Sequence, residues 1–411
     1  MKIPARQIDQ YLWDPELSAR KMVFLSGPRQ AGKTTYAKTL LSKRPGVYLN
    51  WDNPAVRRAY TADPFFFLAD RPGDADFLAV FDEVHKRPRW KDILKGIYDS
   101  VEPSVRILVT GSARLEWFRR SGDSLVGRYV HFHMMPLSIA EVQGTPLGDV
   151  WLGNTADKRA PFRTFERRLL DGKRGTRAIY DHLFVFGGFP EPFARGSERF
   201  LRTWRRDYLS LLLREDLRDL TNIRTVDTVE TLAELLPERI GSPLSVNGLA
   251  GDLEVSFPTV KNHLMQLERL WLLFSLRPYS HRLNRTLKKE RKTYFLNWIY
   301  AAGEARQFEN LVATALLRAT LIWTDLGLAD AELWYVRGFD GGEIDFLITL
   351  DGKPALLVEA KLNNTEIDRR TRTLAGRVGV PLIQVVHRGG ILRQEQEATL
   401  VSADRFLAVL P

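Results

Sequence analysis

The first third of the chain alternates short apolar runs with stretches of helical periodicity. Apolar runs stand at Lys21–Ser26, Val47–Asn50, Phe77–Phe81 and Val105–Thr110, and a helical stretch extends from Lys33 to about Ser42. Short apolar runs that are bounded by turns and separated by helices are typical of buried parallel strands. The pattern therefore predicts a parallel α/β sheet in this part of the chain.

The alternation stops over residues 144–177. A loop-like stretch is followed there by a basic one, which predicts an insertion or a linker. Helical periodicity returns near Glu198, where Leu201, Trp204 and Tyr208 share one face of the predicted helix.

Residues 228–279 predict a compact helical module. Ser245 and Ser256 each precede a helical stretch, the position at which a serine side chain caps the first turn. Two short helices followed by the strand-like run Trp271–Leu276 indicate a winged helix-turn-helix, whose second helix, Phe257–Arg269, would enter the major groove of DNA. A structural lid or an oligomerisation module is the alternative. The second helix is expected to expose Thr259, Lys261, Asn262 and Gln266.

The last part of the chain predicts a second α/β unit. It follows a basic, polar stretch, Pro278–Lys292, which is either a wing or an interdomain linker. From about Thr293 a helix, Glu309–Thr320, is mixed with apolar runs of strand length. The predicted strands are Glu332–Arg337, Glu343–Leu350, Ala355–Ala360 and Leu382–Val386.

Composition adds constraints on size, compartment and partners. The chain has 411 residues, enough for two or three domains, and it has no cysteine, which excludes disulfides and thiolate metal sites. No apolar run is long enough to span a bilayer and the first ten residues lack a signal-peptide core, so we expect a cytoplasmic protein, with nucleoid association as a variant. The net charge of +10 favours a polyanionic partner such as nucleic acid, or reflects ordinary arginine-rich surfaces.

A phosphate-binding motif follows the first predicted strand. The residues Gly27–Thr34 fit the pattern G-x-x-x-x-G-K-[ST], with an apolar strand before them and a helix after them. The backbone N–H groups of such a loop close around phosphate oxygens, and the helix N-terminus adds a favourable dipole. Lys33 would reach the β- and γ-phosphates and the Thr34 hydroxyl would ligate Mg²⁺, so the motif predicts a site for ATP and Mg²⁺.

Two carboxylates and two hydroxyls follow later strands. Phosphoryl transfer needs a second Mg²⁺ anchor and a group that activates water. Asp82 ends a buried strand and would hold the metal, while the adjacent Glu83 would polarise the attacking water. At the tip of the next strand, Thr110 and Ser112 are both candidates for sensing the γ-phosphate. Arg128, in a polar turn, is either an arginine finger for a neighbouring subunit's site or a surface arginine.

A series of motifs in chain order resembles a known family. The segments GPRQAGKTT, FDEVHK, LVTGSA, GRYVHFHMMPLSIAE and GGFPEP resemble the bacterial and archaeal AAA+ ATPases that carry a DUF4143 C-terminal region. The series covers about Lys21–Pro192, and the C-terminal half matches as well. The resemblance implies phosphate and metal roles for Lys33, Thr34 and Asp82. It implies that Glu83 is the base, Ser112 the first sensor, Arg128 a finger, and Pro190 a contact on the adenine side. The loop residues expected at the nucleotide are Gly27, Pro28, Arg29, Gln30, Ala31, Gly32, Lys33, Thr34 and Thr35.

A second set of charged residues stands in apolar strands near the C-terminus. Asp345 lies in EIDFLITL, and Glu359 and Lys361 lie in LLVEAKL on the same side of their strand. Charges in buried strands are unexpected unless they are paired or hold a metal. The two carboxylates would hold Mg²⁺ and the lysine would orient water for phosphodiester cleavage. A structural salt bridge between Lys361 and Glu359 is the alternative.

This set resembles the PD-(D/E)xK nuclease core, in which Glu309 matches the accompanying helix carboxylate. Glu343 would either share the site or face solvent. In relatives the strand matching Lys292–Leu296 is followed by an acidic residue and a glycine, whereas this chain has Asn297 and Trp298, which puts any role of that acidic residue in doubt. The predicted catalytic residues are Glu83, Arg128, Asp345, Glu359 and Lys361. The predicted metal ligands are Thr34, Asp82, Glu309, Asp345 and Glu359.

The sequence thus predicts a multidomain α/β protein. Its parts are an AAA+ P-loop ATPase core with a parallel sheet at 1–143, an insertion and helical lid at 144–227, a winged-helix module at 228–292, and a PD-(D/E)xK nuclease-like DUF4143 domain at 293–411. We expect a DNA-binding AAA+ ATPase coupled to a Mg²⁺-dependent nuclease-like domain that remodels or cuts DNA, such as branched or single-stranded repair intermediates. The alternative is a nucleotide-switch signalling ATPase whose C-terminal domain binds DNA or a protein without cutting. The resemblance implies a homo-oligomer, either a ring such as a hexamer or a switch between closed monomer and open oligomer.

Overall fold

A computed structural model describes residues 4–69, 71–73, 76–111, 115, 125–147, 165, 167–170, 176–220, 226–279, 290–338, 341–395 and 398–411. The chain forms two compact units. The first unit comprises Ile8–Met135, and the second combines Met1–Gln7 with Pro136–Pro411. The finer division into four parts stays a prediction.

The sequence pattern predicts a parallel sheet from four apolar runs and does not predict the strand Tyr129–His133. Among the described residues, the first unit contains a parallel sheet of five strands. Its strands are β1 (Met22–Ser26), β2 (Gly46–Asn50), β3 (Phe77–Asp82), β4 (Val105–Thr110) and β5 (Tyr129–His133). Their order in the sheet is β2-β3-β4-β1-β5, and every neighbouring pair is parallel. The carboxyl ends of all five strands therefore meet at one edge, and β4 lies between the strand of the phosphate loop and the strand that ends in Asp82. This arrangement is compatible with a P-loop AAA fold.

The helices of the first unit begin at local start signals. Gly32 precedes helix α2 with a left-handed φ of 98°, and the Asn53 side chain accepts a hydrogen bond from Ala55 N at the start of α3. Helix α4 buries Trp90 and Leu94 on the face that packs against the core. The bounds are α1 (Pro15–Ser18), α2 (Lys33–Leu41), α3 (Pro54–Ala62) and α4 (Trp90–Ser100).

The second unit is built on a mixed sheet. Its order among the described residues is β12-β13-β11-β10-β9-β8-β6-β7, with parallel pairs at β10/β11, β11/β13 and β6/β8 and antiparallel pairs elsewhere. These strands are β6 (Leu273–Pro278), β7 (Lys292–Phe295), β8 (Ala331–Arg337), β9 (Glu343–Leu350), β10 (Lys353–Lys361), β11 (Leu382–Val386), β12 (Leu392–Glu395) and β13 (Ala398–Ser402). The four strands predicted from the apolar runs are all present, and two of them have the predicted bounds.

The second unit also contains helices. The described ones are α5 (Ile139–Val142), α6 (Thr176–Phe186), α7 (Pro190–Arg195), α8 (Glu198–Ser210), α9 (Leu217–Leu220), α10 (Val226–Leu235), α11 (Val246–Asp252), α12 (Phe257–Arg269), α13 (Glu304–Asp325), α14 (Arg369–Val378) and α15 (Ala403–Ala408), with a π-helical segment at Leu211–Asp216. Most of the predicted insertion at 144–177 lies outside the described residues.

Helix α13 corrects one prediction. It begins at Glu304 rather than at Glu309 and ends at Asp325, so Glu309 lies in its second turn. Its first turn contains polar residues that carry no apolar periodicity, and the sequence pattern therefore missed it. Because α13 is long, Glu309 is held by helix on both sides rather than at a terminus that can fray.

The predicted serine caps are present in the middle module. The Ser245 side chain accepts from Gly248 N, and the Ser256 side chain accepts from Thr259 N. One exposure prediction for α12 was wrong, since Gln266 is 5% exposed and hydrogen-bonds to Asn262. The buried face of α12 is wider than the apolar residues alone indicate, because it also takes in polar side chains.

A two-stranded antiparallel ladder follows α12. Leu273 in β6 pairs with Phe295 in β7, and β6 also pairs with β8 of the larger sheet. Residues 280–289 of the predicted wing or linker lie outside the described residues. The winged-helix assignment therefore stays a prediction. Among the described residues, no helix combines the length and apolar character that crossing a bilayer requires.

Candidate functional sites

The phosphate loop leaves β1 through a glycine that no other residue can replace without movement. Gly27 has a φ of 142°, and a Cβ atom added to it would lie 2.3 Å from the carbonyl oxygen of Met134. The loop closes at Gly32, where helix α2 starts. The backbone path at both ends therefore depends on residues without a side chain.

The lysine of the motif is buried inside its own loop. Lys33 is 8% exposed, and its ammonium donates to the carbonyl oxygens of Gly27 at 2.8 Å and Pro28 at 2.7 Å. The next residue, Thr34, donates its hydroxyl to Asp82 Oδ2 at 3.1 Å. The loop is thus connected through one side chain to the end of β3.

Asp82 is the meeting point of three hydroxyl groups. Besides Thr34, the Thr110 hydroxyl donates to Asp82 Oδ1 at 2.5 Å, and the Tyr48 hydroxyl donates to Asp82 Oδ2. Parallel register brings them together, because Asp82 pairs with Asn50 of β2 on one side and with Thr110 of β4 on the other. Hydroxyl and carboxylate oxygens are the ligands that Mg²⁺ prefers, so the donor set fits the predicted metal.

Glu83 follows Asp82 in a constrained backbone position. Its φ is 59°, and its amide donates to the Thr110 carbonyl at 3.0 Å. The carboxylate lies 3.4 Å from His85 Nε2 and 3.5 Å from the Lys86 ammonium. Burial raises the pKa of Glu83 above its usual value, against the opposing charge of Lys86. A carboxylate with a raised pKa is better suited to accept a proton.

The two sensor candidates stand differently. Thr110 points at Asp82, as described above, while Ser112 lies outside the described residues. The choice between them stays open.

Arg128 lies at the edge of the sheet away from the phosphate loop. It precedes β5, where Tyr129 pairs with Met22 at the start of β1, whereas the loop follows the end of β1. Five residues of strand separate the two edges by about 13 Å. The Arg128 guanidinium forms a bidentate pair with Asp99, at 2.8 Å from Nε to Oδ1 and 3.1 Å from Nη2 to Oδ2. Arg128 is therefore remote from its own phosphate loop, and the choice between an arginine finger for a neighbouring subunit's site and a surface arginine stays open.

Pro190 occupies the first turn of α7 in the second unit and is buried. The Leu137 amide donates to the Gly188 carbonyl at 2.7 Å, which holds the GGFP turn against the chain that follows β5. The predicted contact of Pro190 with adenine stays a prediction.

The second charged set is assembled where β9 and β10 run side by side. Asp345 N donates to Glu359 Oε2 at 3.0 Å, and Ala360 N donates to Asp345 Oδ2 at 3.0 Å. The Lys361 ammonium lies 2.6 Å from Glu359 Oε1. The structure thus brings together the three residues that the sequence singles out.

Lys292, the last residue of the basic stretch Pro278–Lys292, also contacts this set and is buried. The Lys292 ammonium lies 2.7 Å from Glu343 Oε1, 3.0 Å from Asp345 Oδ1 and 3.6 Å from Glu309 Oε1. Glu309 also accepts from the Tyr294 hydroxyl at 2.8 Å. We call the group Lys292, Glu309, Glu343, Asp345, Glu359 and Lys361 the carboxylate cluster. Glu343 therefore contacts the cluster through Lys292.

The electrostatics of the carboxylate cluster follow from its burial. Burial, together with the charge of Asp345, raises the pKa of Glu309 to about 8 and that of Glu359 to about 7. Burial by itself lowers the pKa of Lys292, but the charges of Asp345, Glu309 and Glu343 outweigh it and the net direction is upward. The Lys292 ammonium therefore stays charged at neutral pH.

The all-oxygen donors of the carboxylate cluster suit Mg²⁺ in their chemistry. Both oxygens of Asp345 already accept bonds, from Lys292 and Ala360, and both oxygens of Glu359 do so from Lys361 and from the Asp345 amide. A divalent ion would have to share or replace these partners.

The first unit has a recognisable relationship. Residues 19–143 match the AAA_14 family model, described as an AAA domain. We call this part the AAA segment, and the match indicates an ATPase domain. Residues 177–298 match DUF8612, a domain of unknown function, so the model matched in the second unit is not the DUF4143 that the sequence resemblance names.

Relatives extend over most of the chain. Protein Rv2008c of Mycobacterium tuberculosis and protein Mb2031c of Mycobacterium bovis are each 23% identical over 406 residues, covering 95% of this chain and 83% of their own length. Protein MJ1544 of Methanocaldococcus jannaschii is 22% identical and covers 87% of this chain and 78% of its own. All three are described as uncharacterized, so they extend the similarity beyond the AAA segment without assigning an activity.

Solved structures also match, among them a chain from the structure of Drosophila ORC bound to AT-rich DNA and Cdc6, with 10% identity, 70% coverage of this chain, 87% coverage of that chain and a TM-score of 0.24. So low a score carries no argument about fold or function.

Sequence reasoning missed three residues at these sites. Tyr48 and His85 lie in the AAA segment beside Asp82 and Glu83, and Lys292 lies in the carboxylate cluster. Tyr48 carries a weak signal, because alternation places it on the same face of β2 as Asn50, which pairs with Asp82. His85 also carries a local signal, because it stands two residues after Glu83, whereas Lys292 carries none, since its partners depend on the fold.

Proposed function

We propose that this protein is an ATP hydrolase whose first unit binds MgATP. The observation that carries the proposal is the Asp82 carboxylate, which receives hydroxyls from Thr34, Tyr48 and Thr110 at the edge of the sheet where the phosphate loop begins. Glu83 follows directly and is partly buried. The match of residues 19–143 to an AAA domain supports the same conclusion.

The residues divide the chemistry among them. Loop amides and the Lys33 ammonium hold the phosphate tail, with the ammonium exchanging the Gly27 and Pro28 carbonyls for phosphate oxygens. Thr34 and Asp82 would hold Mg²⁺, which when bound neutralises charge on the phosphates. Glu83 accepts the proton of the attacking water as the bond to the γ-phosphorus forms and the bond to the ADP oxygen breaks.

Two substitutions separate binding from hydrolysis. Glu83→Gln should keep ATP binding, because the side chain stays similar in size, and should lower kcat by at least about 100-fold, the low end for a general base. Lys33→Ala should lose ATP binding, since it removes the buried ammonium that would pair with the phosphates. Calorimetry with ATP and a phosphate-release assay measure the two properties. An unchanged rate in Glu83→Gln, or no nucleotide uptake by the wild type, would rule out the proposal.

We propose DNA as the partner and a homo-oligomer as the working form. The net charge of +10 and the exposed face of α12, with Lys261 and Asn262, support a phosphate-backbone contact. Arg128, on the edge away from its own phosphate loop, supports completion of a neighbouring subunit's site. The expected result is faster ATP hydrolysis in the presence of DNA. A rate that DNA leaves unchanged, with tightly retained ADP, would favour the nucleotide-switch alternative.

A second proposed activity is Mg²⁺-dependent cleavage of DNA by the second unit. It is favoured by the direct contacts that join Asp345, Glu359 and Lys361 on neighbouring strands. Lys361 is the more exposed lysine of the carboxylate cluster. It would orient the attacking water, or offset the charge that develops as the bond from water to phosphorus forms and the bond from phosphorus to the leaving sugar oxygen breaks, and Mg²⁺ would act as Lewis acid when bound.

Cleavage is tested on single-stranded, duplex and four-way-junction DNA with Mg²⁺. Asp345→Asn and Lys361→Met should each abolish nicking, because one removes a ligand charge and the other removes the ammonium. Glu83→Gln is the control that separates DNA cleavage from ATP hydrolysis. It should still nick DNA, since it leaves the carboxylate cluster intact. No nicking by the wild type on any substrate would leave the ATPase proposal standing and end the nuclease proposal.

A further inference from the structure

Lys292 is the most deeply buried charged side chain of the carboxylate cluster. It is 1% exposed and begins β7, while its three carboxylate partners come from α13 and β9. Its ammonium lies 5.7 Å from the centroid of the Tyr335 ring. A buried ammonium is tolerated only when it is paired on several sides, and this one is.

The two lysines of the carboxylate cluster occupy different places. The Lys361 side chain is 36% exposed and pairs with one carboxylate, whereas the Lys292 side chain is 1% exposed and lies among three. Lys361 can therefore leave its partner by turning into solvent. Lys292 cannot leave without exposing three carboxylates to one another in a buried setting.

A cation that binds Asp345 would lie close to the Lys292 ammonium. Asp345 Oδ1 faces Lys292 at 3.0 Å, and Glu309 faces the same ammonium at 3.6 Å. These are two of the three carboxylates that the sequence assigns to the metal. Two cations that share the same carboxylate oxygens at such distances repel each other strongly, because the surroundings screen them poorly.

We propose that Lys292 is the resident cation of the carboxylate cluster and opposes the binding of a divalent ion at Asp345. A divalent ion then binds tightly only when the Lys292 ammonium is displaced from Asp345 and Glu309. The inference rests on the proposed nuclease site. It adds that the described arrangement is the closed form of that site, and that opening requires a movement of β7 or of the Lys292 side chain.

Titration with Mn²⁺ in the absence of nucleotide tests the inference on the full chain. Lys292→Met should bind Mn²⁺ at least tenfold more tightly than wild type, as followed by the electron paramagnetic resonance signal of free Mn²⁺. Lys353→Met, the same substitution at the exposed far end of β10, should match wild type. The gain should disappear in Lys292→Met/Asp345→Asn, because the ligand is gone.

Several results would overturn the inference. Equal Mn²⁺ affinity in Lys292→Met and wild type would do so, as would a gain that survives Asp345→Asn. If Lys292→Met fails to fold, Lys292→Gln is measured in its place, since its amide can still donate to the carboxylates without adding charge. Thermal unfolding gives a second readout, because Mn²⁺ should raise the Tm of the neutral variant more than that of wild type.

The inference and the nuclease proposal fail in different ways. Tight Mn²⁺ binding by Lys292→Met, with no DNA cleavage by either the wild type or the variant, would end the nuclease proposal and support the role of Lys292. If none of the variants binds Mn²⁺, the role of Lys292 as a competitor is wrong, whatever the cleavage assay gives.

Discussion

At the scale of single residues, Gly27 shows how backbone geometry creates the nucleotide site. The loop must turn away from β1 at the point where β5 lies closest, and the Met134 amide donates to the Ser26 carbonyl at 2.8 Å just before that turn. Only a residue without Cβ fits between the two chains. The glycine of the motif is therefore a requirement of the sheet as well as of the phosphate.

Gly27→Ala should weaken ATP binding by at least tenfold. The added methyl group would meet the Met134 carbonyl at 2.3 Å in a backbone conformation that L-residues rarely adopt, so the loop would have to move. Titration with a fluorescent ATP analogue measures the change. The control is Gly96→Ala on the exposed face of α4, where nothing lies within 4 Å of the new methyl group. That substitution should leave binding unchanged and favour the helix by about 0.5–1 kcal/mol.

Lys292 shows the opposite case at the same scale, a residue whose role its local sequence conceals. It ends a run of lysines and arginines, which predicts a solvated stretch, yet its ammonium is buried and bonds to Asp345 across 53 positions. The charge pattern around Lys292 shows its neighbours along the chain. It does not show which distant carboxylates the fold brings next to it.

At the scale of elements, the strands were predicted closely and their order was not. β4 and β9 have the predicted bounds, and β1 and β3 differ from theirs by one residue. Apolar runs of strand length are a local signal, because the apolar side chains that become buried belong to consecutive residues of the strand itself. The insertion of β4 between β1 and β3 is what brings Thr110 to Asp82, and no local pattern contains that information.

Helices follow the same rule at their ends. The caps of α11 and α12 were predicted because a serine bonds to the amide of its own third successor. The start of α13 was not, because its first turn is polar and follows Gly303, a residue without a capping side chain. Glu309 consequently faces the carboxylate cluster from inside a stable helix.

At the scale of the whole molecule, one buried ion pair joins segments of the second unit that lie far apart in the chain. Gln7 and Pro136 belong to two of these segments. Arg318 donates to the Pro136 carbonyl at 2.6 Å and to Gln7 Oε1 at 3.1 Å. Glu141 lies 3.2 Å from Arg318 and accepts from the Gln7 amide at 2.9 Å. A third member, Arg6, donates to Glu141 at 2.8 Å.

Glu141→Leu should destabilise the protein by about 3–5 kcal/mol, since it leaves Arg318 buried without its carboxylate. Urea unfolding followed by fluorescence measures the loss. The matched double variant Glu141→Leu/Arg318→Met should recover part of it, because two apolar residues can replace a buried pair, although Arg6 still loses its carboxylate. A loss below about 1 kcal/mol in the single variant would contradict this account of the ion pair.

The same pair makes stability depend on acid in a defined direction. Burial alone raises the pKa of Glu141, but Arg318 and Arg6 outweigh it, so the pKa in the folded state is below its ordinary value. The stabilisation is therefore present above the unfolded pKa and is lost as pH falls through the folded one. The double variant should lose this part of the acid sensitivity.

The sequence by itself determined the parts whose signals are local. The phosphate loop, the Asp82–Glu83 pair, most strand bounds and the serine caps each depend on residues within a few positions of one another. Their physical cause is the fixed periodicity of strands and helices and the short reach of a capping side chain. Such features can be recognised without knowing what packs against them.

Only the tertiary structure decided which of these parts meet. Strand order placed Tyr48 and Thr110 on Asp82, and the packing of β7 and α13 beside β9 placed Lys292 among its carboxylates. These contacts join residues that are far apart in the chain, because burial of whole sheet faces determines neighbours and individual side-chain chemistry does not. Local motifs therefore identify residues of the sites, and the fold determines how the site residues are arranged.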